Sequence, residues 1–240
     1  MADLADAAGR VVAVPLAALA RVRRAKPMHP HGAVFPAVLR RQGIGVGIPW
    51  LDAVGTDDAA VRFSRGAGLP ARFPDLLGLA LRVAGDPPVD LLLSSAGRGR
   101  WTRRVPVLRR DAATPYGSVM AYRSAAGPVW LTALPQGGPL PSDAAGLAAA
   151  APGRVVQLDA AVGRGPWRTF GTLLVGPVAG PLDPDLRFDA VLYPPPGLTT
   201  DGPMARFRRP AYAAARVARG APRDAREPVP PSRRSGPDRK

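Results

Sequence analysis

The sequence contains no cysteine among its 240 residues. Disulfide bonds, a thiolate nucleophile and a cysteine-ligated metal are therefore excluded. A chain without cysteine is typical of a cytoplasmic protein, and this is the localisation we predict. Only two histidines are present, His29 and His31, and the carboxylates are scattered along the chain. This composition argues against a zinc-dependent or two-metal hydrolase.

Lysine is also scarce, since only Lys26 and Lys240 occur, and arginine supplies most of the formal net charge of +15. A partner such as nucleic acid or an anionic membrane surface would explain this charge. The alternative explanation is codon bias, because Ala, Gly, Pro and Arg are all enriched. Aromatic residues make up only 6% of the chain, and no recognition helix, stacking platform or finger spacing is found. Nucleic acid is therefore not the partner we predict.

Long apolar runs are missing, because no segment approaches the ~20 residues that a membrane-spanning helix needs. The apolar stretch Val11–Ala20 contains Pro15 and follows an acidic segment, so it is not predicted to be a signal peptide. No membrane partner is expected.

Two common site motifs are also missing. Gly-x-Ser-x-Gly is absent, and neither Gly43–Gly47 nor Gly97–Gly99 continues as a phosphate-binding loop.

What the chain does contain is 46% hydrophobic residues with 27 glycines and 30 prolines, which favours many turns and short strands. Apolar patterns predict extended segments at 29–39, 61–64, 76–83, 90–93, 129–134, 155–162, 169–175 and 186–193. Helices are predicted at 1–25, 143–151 and 205–219, and helix is the better interpretation of 105–122 towards its end. These elements indicate an α+β protein built on an antiparallel barrel or sandwich. We expect one domain over 1–220 and a disordered basic tail over 221–240.

The segment Arg208-Arg-Pro-Ala-Tyr212 carries a second signal, together with Arg219. On a helix, the two arginines lie on the same side as the tyrosine. The nearer arginine can hold the phenol as phenolate, which is a recognised axial ligand of haem iron. The alternative is a buried Tyr212 that packs an amphipathic helix, with the arginines facing solvent.

Several segments, taken in chain order, resemble the haem-dependent catalase-like superfamily, of which the chain looks like a compact member. They are His29-Pro-His-Gly32, Val61-Arg62-Phe63-Ser64, Asp75-Leu-Leu-Gly78-Leu-Ala80, Asp90-Leu-Leu-Leu93, Phe170-Gly-Thr-Leu-Leu-Val175, Phe188-Asp189 with Pro195-Pro-Gly197, and Arg208…Tyr212 with Arg219. The resemblance implies an antiparallel β-barrel with an N-terminal helix and a C-terminal proximal helix. It also implies haem b as the cofactor and a peroxide as the substrate.

On one side of the haem, the resemblance makes His29 the distal base, with Ser64 fixing its tautomer. Ser95 occupies the position of the family's distal asparagine, where it would donate a hydrogen bond to peroxide. From the residues alone, His29 can equally be a capped loop histidine between prolines, and Ser95 a turn serine.

On the other side, the resemblance makes Tyr212 the iron ligand and Arg208 the group that stabilises its phenolate. Lys26, Arg62 and Arg219 fall where the family places basic residues for the haem propionates, which charge-assisted hydrogen bonds would hold.

The sequence also departs from the family pattern. Ser94-Ser95 replaces paired asparagines, and the distal phenylalanines that follow them are missing. We therefore expect a haem-binding oxidoreductase that acts on hydrogen peroxide or organic peroxides with slow catalase turnover. The segments expected for the family's arm and C-terminal helical domain are not found, which favours a monomer or homodimer.

Two alternatives stay open. In the first, the barrel binds no haem and holds an anionic small molecule, with phosphoester hydrolysis (a phosphodiesterase activity) as the conceivable reaction. In the second, the chain is a basic nucleic-acid or membrane-surface protein, an interpretation that depends on charge alone.

Overall fold

A computed structural model describes residues 29–200. These residues form ten strands, two short α-helices and one 3-10 helix. In chain order the elements are β1 (His31–Gln42), α1 (Pro49–Asp52), β2 (Val54–Arg65), β3 (Asp75–Val83), β4 (Val89–Ser95), the 3-10 helix (Thr102–Arg104), β5 (Leu108–Arg109), β6 (Tyr116–Gly117), β7 (Tyr122–Ser124), β8 (Gly127–Pro135), α2 (Ala144–Ala150), β9 (Val155–Val162) and β10 (Arg168–Val175).

Eight of these strands form a closed ring. The order is β2-β1-β10-β9-β8-β6-β4-β3, and β3 pairs back onto β2. All the pairings are antiparallel, while β5 and β7 lie beside the ring on β3 and β8. The predicted antiparallel barrel is thus confirmed, and the sandwich is excluded.

The barrel core is apolar because alternate residues of each strand face inward. Phe35, Phe63 and Tyr116 meet edge to face, with ring centroids 6.3 Å apart for the first pair and 6.1 Å for the second. The Tyr116 hydroxyl donates to the Ala112 carbonyl at 2.9 Å. Burial, reinforced by the charge of Asp111, raises the pKa of Tyr116 well above its usual value. This phenol is therefore a neutral packing group.

The segment 182–193 lies over part of the outer face of the barrel and is called the covering segment below. Arg82 and Asp90, on neighbouring strands, form a buried bidentate ion pair at 2.7 and 2.8 Å. Arg82 also donates to the Arg187 carbonyl at 2.5 Å and lies 5.4 Å from the centroid of the Phe188 ring. The segment is therefore attached to the barrel by a charged pair and by the backbone and aromatic groups around it.

The predicted strands within residues 29–175 are confirmed, including the hairpin of β9 and β10. The predicted helix at 143–151 is confirmed as α2, whose first turn is capped by the Asp143 side chain accepting from the Gly146 N–H at 2.8 Å. The helix favoured towards the end of the segment 105–122 is wrong. Pro106 and Pro115 lack N–H groups, and the segment instead forms β5, β6 and the start of β7.

The segment 186–193 forms no regular strand and ends in a turn. The helices predicted at 1–25 and 205–219 and the tail at 221–240 lie outside the described residues. Between residues 29 and 200, no helix has the length and apolar character needed to cross a membrane.

Candidate active site

The backbone of His29 is held in an uncommon conformation just before β1. Its φ is 57°, in the left-handed region that residues other than glycine seldom adopt. Its N–H donates to the Gly66 carbonyl at 2.9 Å, and its own carbonyl accepts from Arg62 Nη2 at 3.0 Å. With both backbone groups bonded, the partly buried imidazole is directed over β2 and β3.

The imidazole is hydrogen-bonded to Ser64, the partner that the family resemblance implies. The Ser64 Oγ lies 2.9 Å from Nδ1 of His29 and 3.4 Å from the Gly78 carbonyl. When the Ser64 hydroxyl donates to the Gly78 carbonyl, its oxygen accepts the hydrogen of His29 Nδ1. The other ring nitrogen, Nε2, then carries no hydrogen and keeps its lone pair. Nε2 makes no hydrogen bond to any described residue, so this ring nitrogen is left available as an acceptor.

Gly78 makes room for this ring. A Cβ added at Gly78 would lie 2.5 Å from Cε1 and 2.7 Å from Nδ1 of His29, and 2.9 Å from the Ser64 Oγ. A Cβ essentially never lies that close to a non-bonded carbon, nitrogen or oxygen atom. Only glycine therefore allows the imidazole to lie against β3 in this position.

The strand register shows which other residues share this face. Gly32 is opposite Ser64, Ser64 is opposite Gly78, and Gly78 is opposite Ser94. Residues in register on neighbouring strands point to the same side of the sheet. Ser94 therefore faces the same side as His29, in a row of small residues that leaves space beside the imidazole.

Sequence reasoning chose Ser95 for the distal position, but the register instead brings Ser94 to the His29 side. The structure places Ser95 on the opposite face, fully buried towards the barrel core. Its hydroxyl accepts from the Leu77 N–H at 3.0 Å and donates to the Val107 carbonyl at 2.6 Å. Ser95 is thus not brought to His29. Successive side chains of β4 face opposite sides of the sheet, so Ser94 lies on the other face from the buried Leu93 and Ser95. This alternation of apolar residues is the sequence signal that could have identified Ser94.

Arg62 connects the site to the covering segment. Its guanidinium forms a bidentate ion pair with Asp183, both contacts at 2.8 Å, and also holds the His29 carbonyl. The pKa of His29 is lowered from 6.5 to about 4, chiefly by burial and then by the charge of Arg62, with Asp75 opposing. At neutral pH the imidazole is therefore uncharged and able to accept a proton. A contact between Arg62 and a propionate stays a prediction.

The other half of the predicted site lies outside the described residues. Lys26, Arg208, Tyr212 and Arg219 all fall there, so their roles stay predictions. Within residues 29–200, no cluster of three or more His, Asp or Glu side chains is arranged to hold a metal ion.

Solved structures of catalases share this fold. A fungal catalase matches with a TM-score of 0.58 and 13% identity, over 83% of this chain and 61% of that one. A bacterial catalase matches with a TM-score of 0.54 and 13% identity, over 84% and 59% of the two chains. Catalase A from Saccharomyces cerevisiae matches with a TM-score of 0.54 and 11% identity, over 84% and 63%.

These likenesses show a catalase-like barrel and, at such low identity, the fold alone. The chain spans about three fifths of the length of the catalase chains it matches. No protein-family model matches the sequence, and no curated protein matches it either.

Proposed function

We propose that this protein is a haem-binding, catalase-like oxidoreductase that acts on hydrogen peroxide or organic peroxides with slow catalase turnover. The proposal depends chiefly on one observation, the neutral His29 imidazole held by Ser64 over Gly78 on a catalase-like barrel. The row of small residues beside His29 is compatible with a flat macrocycle. Tyr212 would hold haem b with help from Arg208, while Lys26, Arg62 and Arg219 would hold its propionates.

Bound haem would supply the ferric redox centre at which the peroxide oxygen–oxygen bond breaks, and a two-electron donor, such as a second peroxide molecule, would return that centre to its starting state. His29 Nε2 accepts the proton from one peroxide oxygen and returns it to the other, so that the leaving oxygen departs as water or an alcohol. A pKa of about 4 keeps this nitrogen unprotonated at neutral pH. Ser64 keeps the ring in the orientation that directs Nε2 towards the substrate.

The distal hydrogen bond to peroxide that sequence reasoning gave to Ser95 is assigned here to Ser94. Ser94 faces the His29 side, whereas both hydrogen-bonding roles of the Ser95 hydroxyl are taken by the backbone. A serine hydroxyl is shorter than an asparagine amide, so it reaches less far into the site. This difference supports slow turnover.

The visible spectrum of the full chain, produced with haem supplied, tests the proposal. We expect a Soret band that is lost or shifted in Tyr212→Phe and kept in Tyr193→Phe, a matched control on the covering segment. His29→Asn should keep the band but lose most of the peroxide consumption. A colourless full chain would overturn the haem proposal and favour the haem-free, anion-binding alternative. A Soret band indifferent to Tyr212→Phe would overturn the assignment of Tyr212 as the iron ligand.

A further inference from the structure

The segment between β4 and the end of β5 has an unusual concentration of positive charge. No acidic residue occurs from position 91 to position 110. The same stretch carries six arginines, namely Arg98, Arg100, Arg103, Arg104, Arg109 and Arg110. In the sequence this cluster is obscured by the general abundance of arginine. In the structure, Arg98, Arg100, Arg103 and Arg104 lie in or just before the 3-10 helix, and Arg109 and Arg110 lie at the end of β5 or just after it.

This segment is held to the barrel by stacked side chains. The buried Arg103 guanidinium lies 3.8 Å from the ring centroid of Trp130 on β8 and 5.8 Å from that of Trp167 in the β9–β10 connection. Arg103 also donates to the Gly163 carbonyl at 3.2 Å, and the Trp167 indole N–H donates to the Arg98 carbonyl at 2.8 Å. These contacts hold the segment against the barrel, so the exposed residues around Arg103 have fixed positions.

The positive charge of the segment is largely uncompensated. Arg98 pairs with the buried carboxylate of Asp159. No carboxylate in the described part of the chain forms an ion pair with Arg100, Arg103 or Arg104. The pKa of Arg103 is lowered, first by burial and then by the charges of Arg104 and Arg100. Such crowding of like charges favours an anionic partner.

Large apolar side chains alternate with these arginines and are exposed to solvent. Trp101, Val105 and Leu108 are exposed by 68%, 55% and 60% respectively. The Trp101 ring has the guanidinium carbons of Arg100 and Arg104 at 5.3 and 5.7 Å from its centroid. Exposed tryptophan and aliphatic side chains among arginines are the combination that suits the interface of a membrane.

We propose that the arginine–tryptophan surface, residues 100–110, docks on the surface of an anionic lipid bilayer. Arg100, Arg104 and their neighbours bind lipid phosphates, while Trp101, Val105 and Leu108 enter the boundary between headgroups and acyl chains. This docking is independent of haem binding and places the protein on the membrane without crossing it.

A lipid surface suits these residues better than a single-stranded nucleic acid. Nucleic acid binding without sequence preference needs successive aromatic rings on which bases stack. Trp101 is the single exposed aromatic residue in this segment, and its own arginines lie against the ring. The exposed Val105 and Leu108 have a place in a lipid interface and no counterpart on a phosphate backbone.

Vesicle co-sedimentation of the full chain tests the proposal. We expect binding to phosphatidylcholine vesicles that contain phosphatidylglycerol, weakening as salt increases, and little binding to phosphatidylcholine alone. Replacing both Arg100 and Arg104 by Gln should weaken partitioning about 30-fold, because each arginine near an anionic surface contributes about fivefold. Trp101→Ala should weaken it roughly tenfold through the lost apolar contact.

The control for the double arginine variant replaces both Arg40 and Arg123 by Gln. The control for Trp101→Ala is Leu174→Ala. These residues are exposed on other parts of the barrel, so partitioning should stay near that of the parent. Equal binding to neutral vesicles, or an unchanged affinity in the Arg100 and Arg104 variant, would overturn the proposal. It would also be overturned by tighter binding to an oligothymidylate that is lost in that same variant. Thermal unfolding confirms that each variant is folded.

Discussion

The imidazole of His29 lies so close to the Cα of Gly78 that a single methyl group between them would overlap the ring, with a Cβ only 2.5 Å from Cε1. Three neighbouring elements cooperate in this contact. The left-handed backbone of residue 29 directs the ring, Ser64 binds Nδ1, and the glycine on β3 leaves the space. The site is thus specified partly by an absent side chain.

Gly78→Ala should displace the ring and destabilise the protein by about 1–3 kcal/mol, the usual range for an overpacked site. Gly138→Ala is the control, because a Cβ there meets nothing within 4 Å. We expect its free energy of unfolding in urea to change by less than about 0.5 kcal/mol. Adding His29→Ala to Gly78→Ala should recover part of the loss. Equal stabilities for the two glycine variants would contradict the close contact.

Stability should depend on pH through His29. Because the pKa of His29 is about 4 in the folded protein and 6.5 in the reference state, the unfolded chain binds more protons at this residue between those values. The free energy of unfolding should therefore fall as pH decreases from 6.5 to about 4, by about 1–3 kcal/mol from this residue.

His29→Asn should lose this pH-dependent part of the free energy of unfolding. His31→Asn changes an exposed histidine two residues away and should retain it. Urea unfolding of the parent and both variants across this pH range measures the difference. The burial assigned to His29 would be refuted if the two variants had the same pH profile.

Substitution of Ser95 should lower stability, whereas substitution of Ser94 should lower activity. Ser95→Ala leaves the buried Leu77 N–H and the partly buried Val107 carbonyl without this partner, and should cost about 1–3 kcal/mol. Ser94→Ala should change stability by less than about 0.5 kcal/mol and slow peroxide consumption by the haem-loaded protein. The measurements are chemical unfolding and the initial rate of peroxide loss. The reverse pattern would restore the assignment of the distal position to Ser95.

Removing one partner of the buried ion pair of Arg82 and Asp90 should be strongly destabilising. Asp90→Asn leaves a buried arginine without its counter-charge, and should destabilise the fold by about 3–5 kcal/mol. Asp57→Asn removes a partner from the more exposed pair with Arg41 and should cost less than about 1 kcal/mol. Urea midpoints of the two variants provide the comparison, and similar losses would contradict it.

The strands were predictable because their apolar residues occur in patterns that the barrel preserves. The approach of His29 to Ser64 was also predictable, through the resemblance of Val61-Arg62-Phe63-Ser64 to a family segment. The choice between Ser94 and Ser95 failed because adjacent residues of a strand face opposite sides, so an error of one position reverses the assignment.

Other features depend on contacts that sequence patterns do not encode. The stack of Arg103 on Trp130 and Trp167 joins three distant segments, and nothing near any one of these residues indicates the other two. The segment 105–122 was misassigned because its apolar and basic residues suit a helix. Its prolines and the pairing of Tyr116 with Ser95 and Ala133 instead impose short strands.

The first strand of the ring, β1, pairs on one side with β2 and on the other with the last strand, β10. During translation the hairpin of β1 and β2 can form early, whereas among the described strands only β10 pairs with the other edge of β1, and it leaves the ribosome last. Closure is consequently a late, long-range event, which slows folding. Until then the nascent chain exposes a strand edge, and this edge is where a chaperone, or a second nascent chain, would attach.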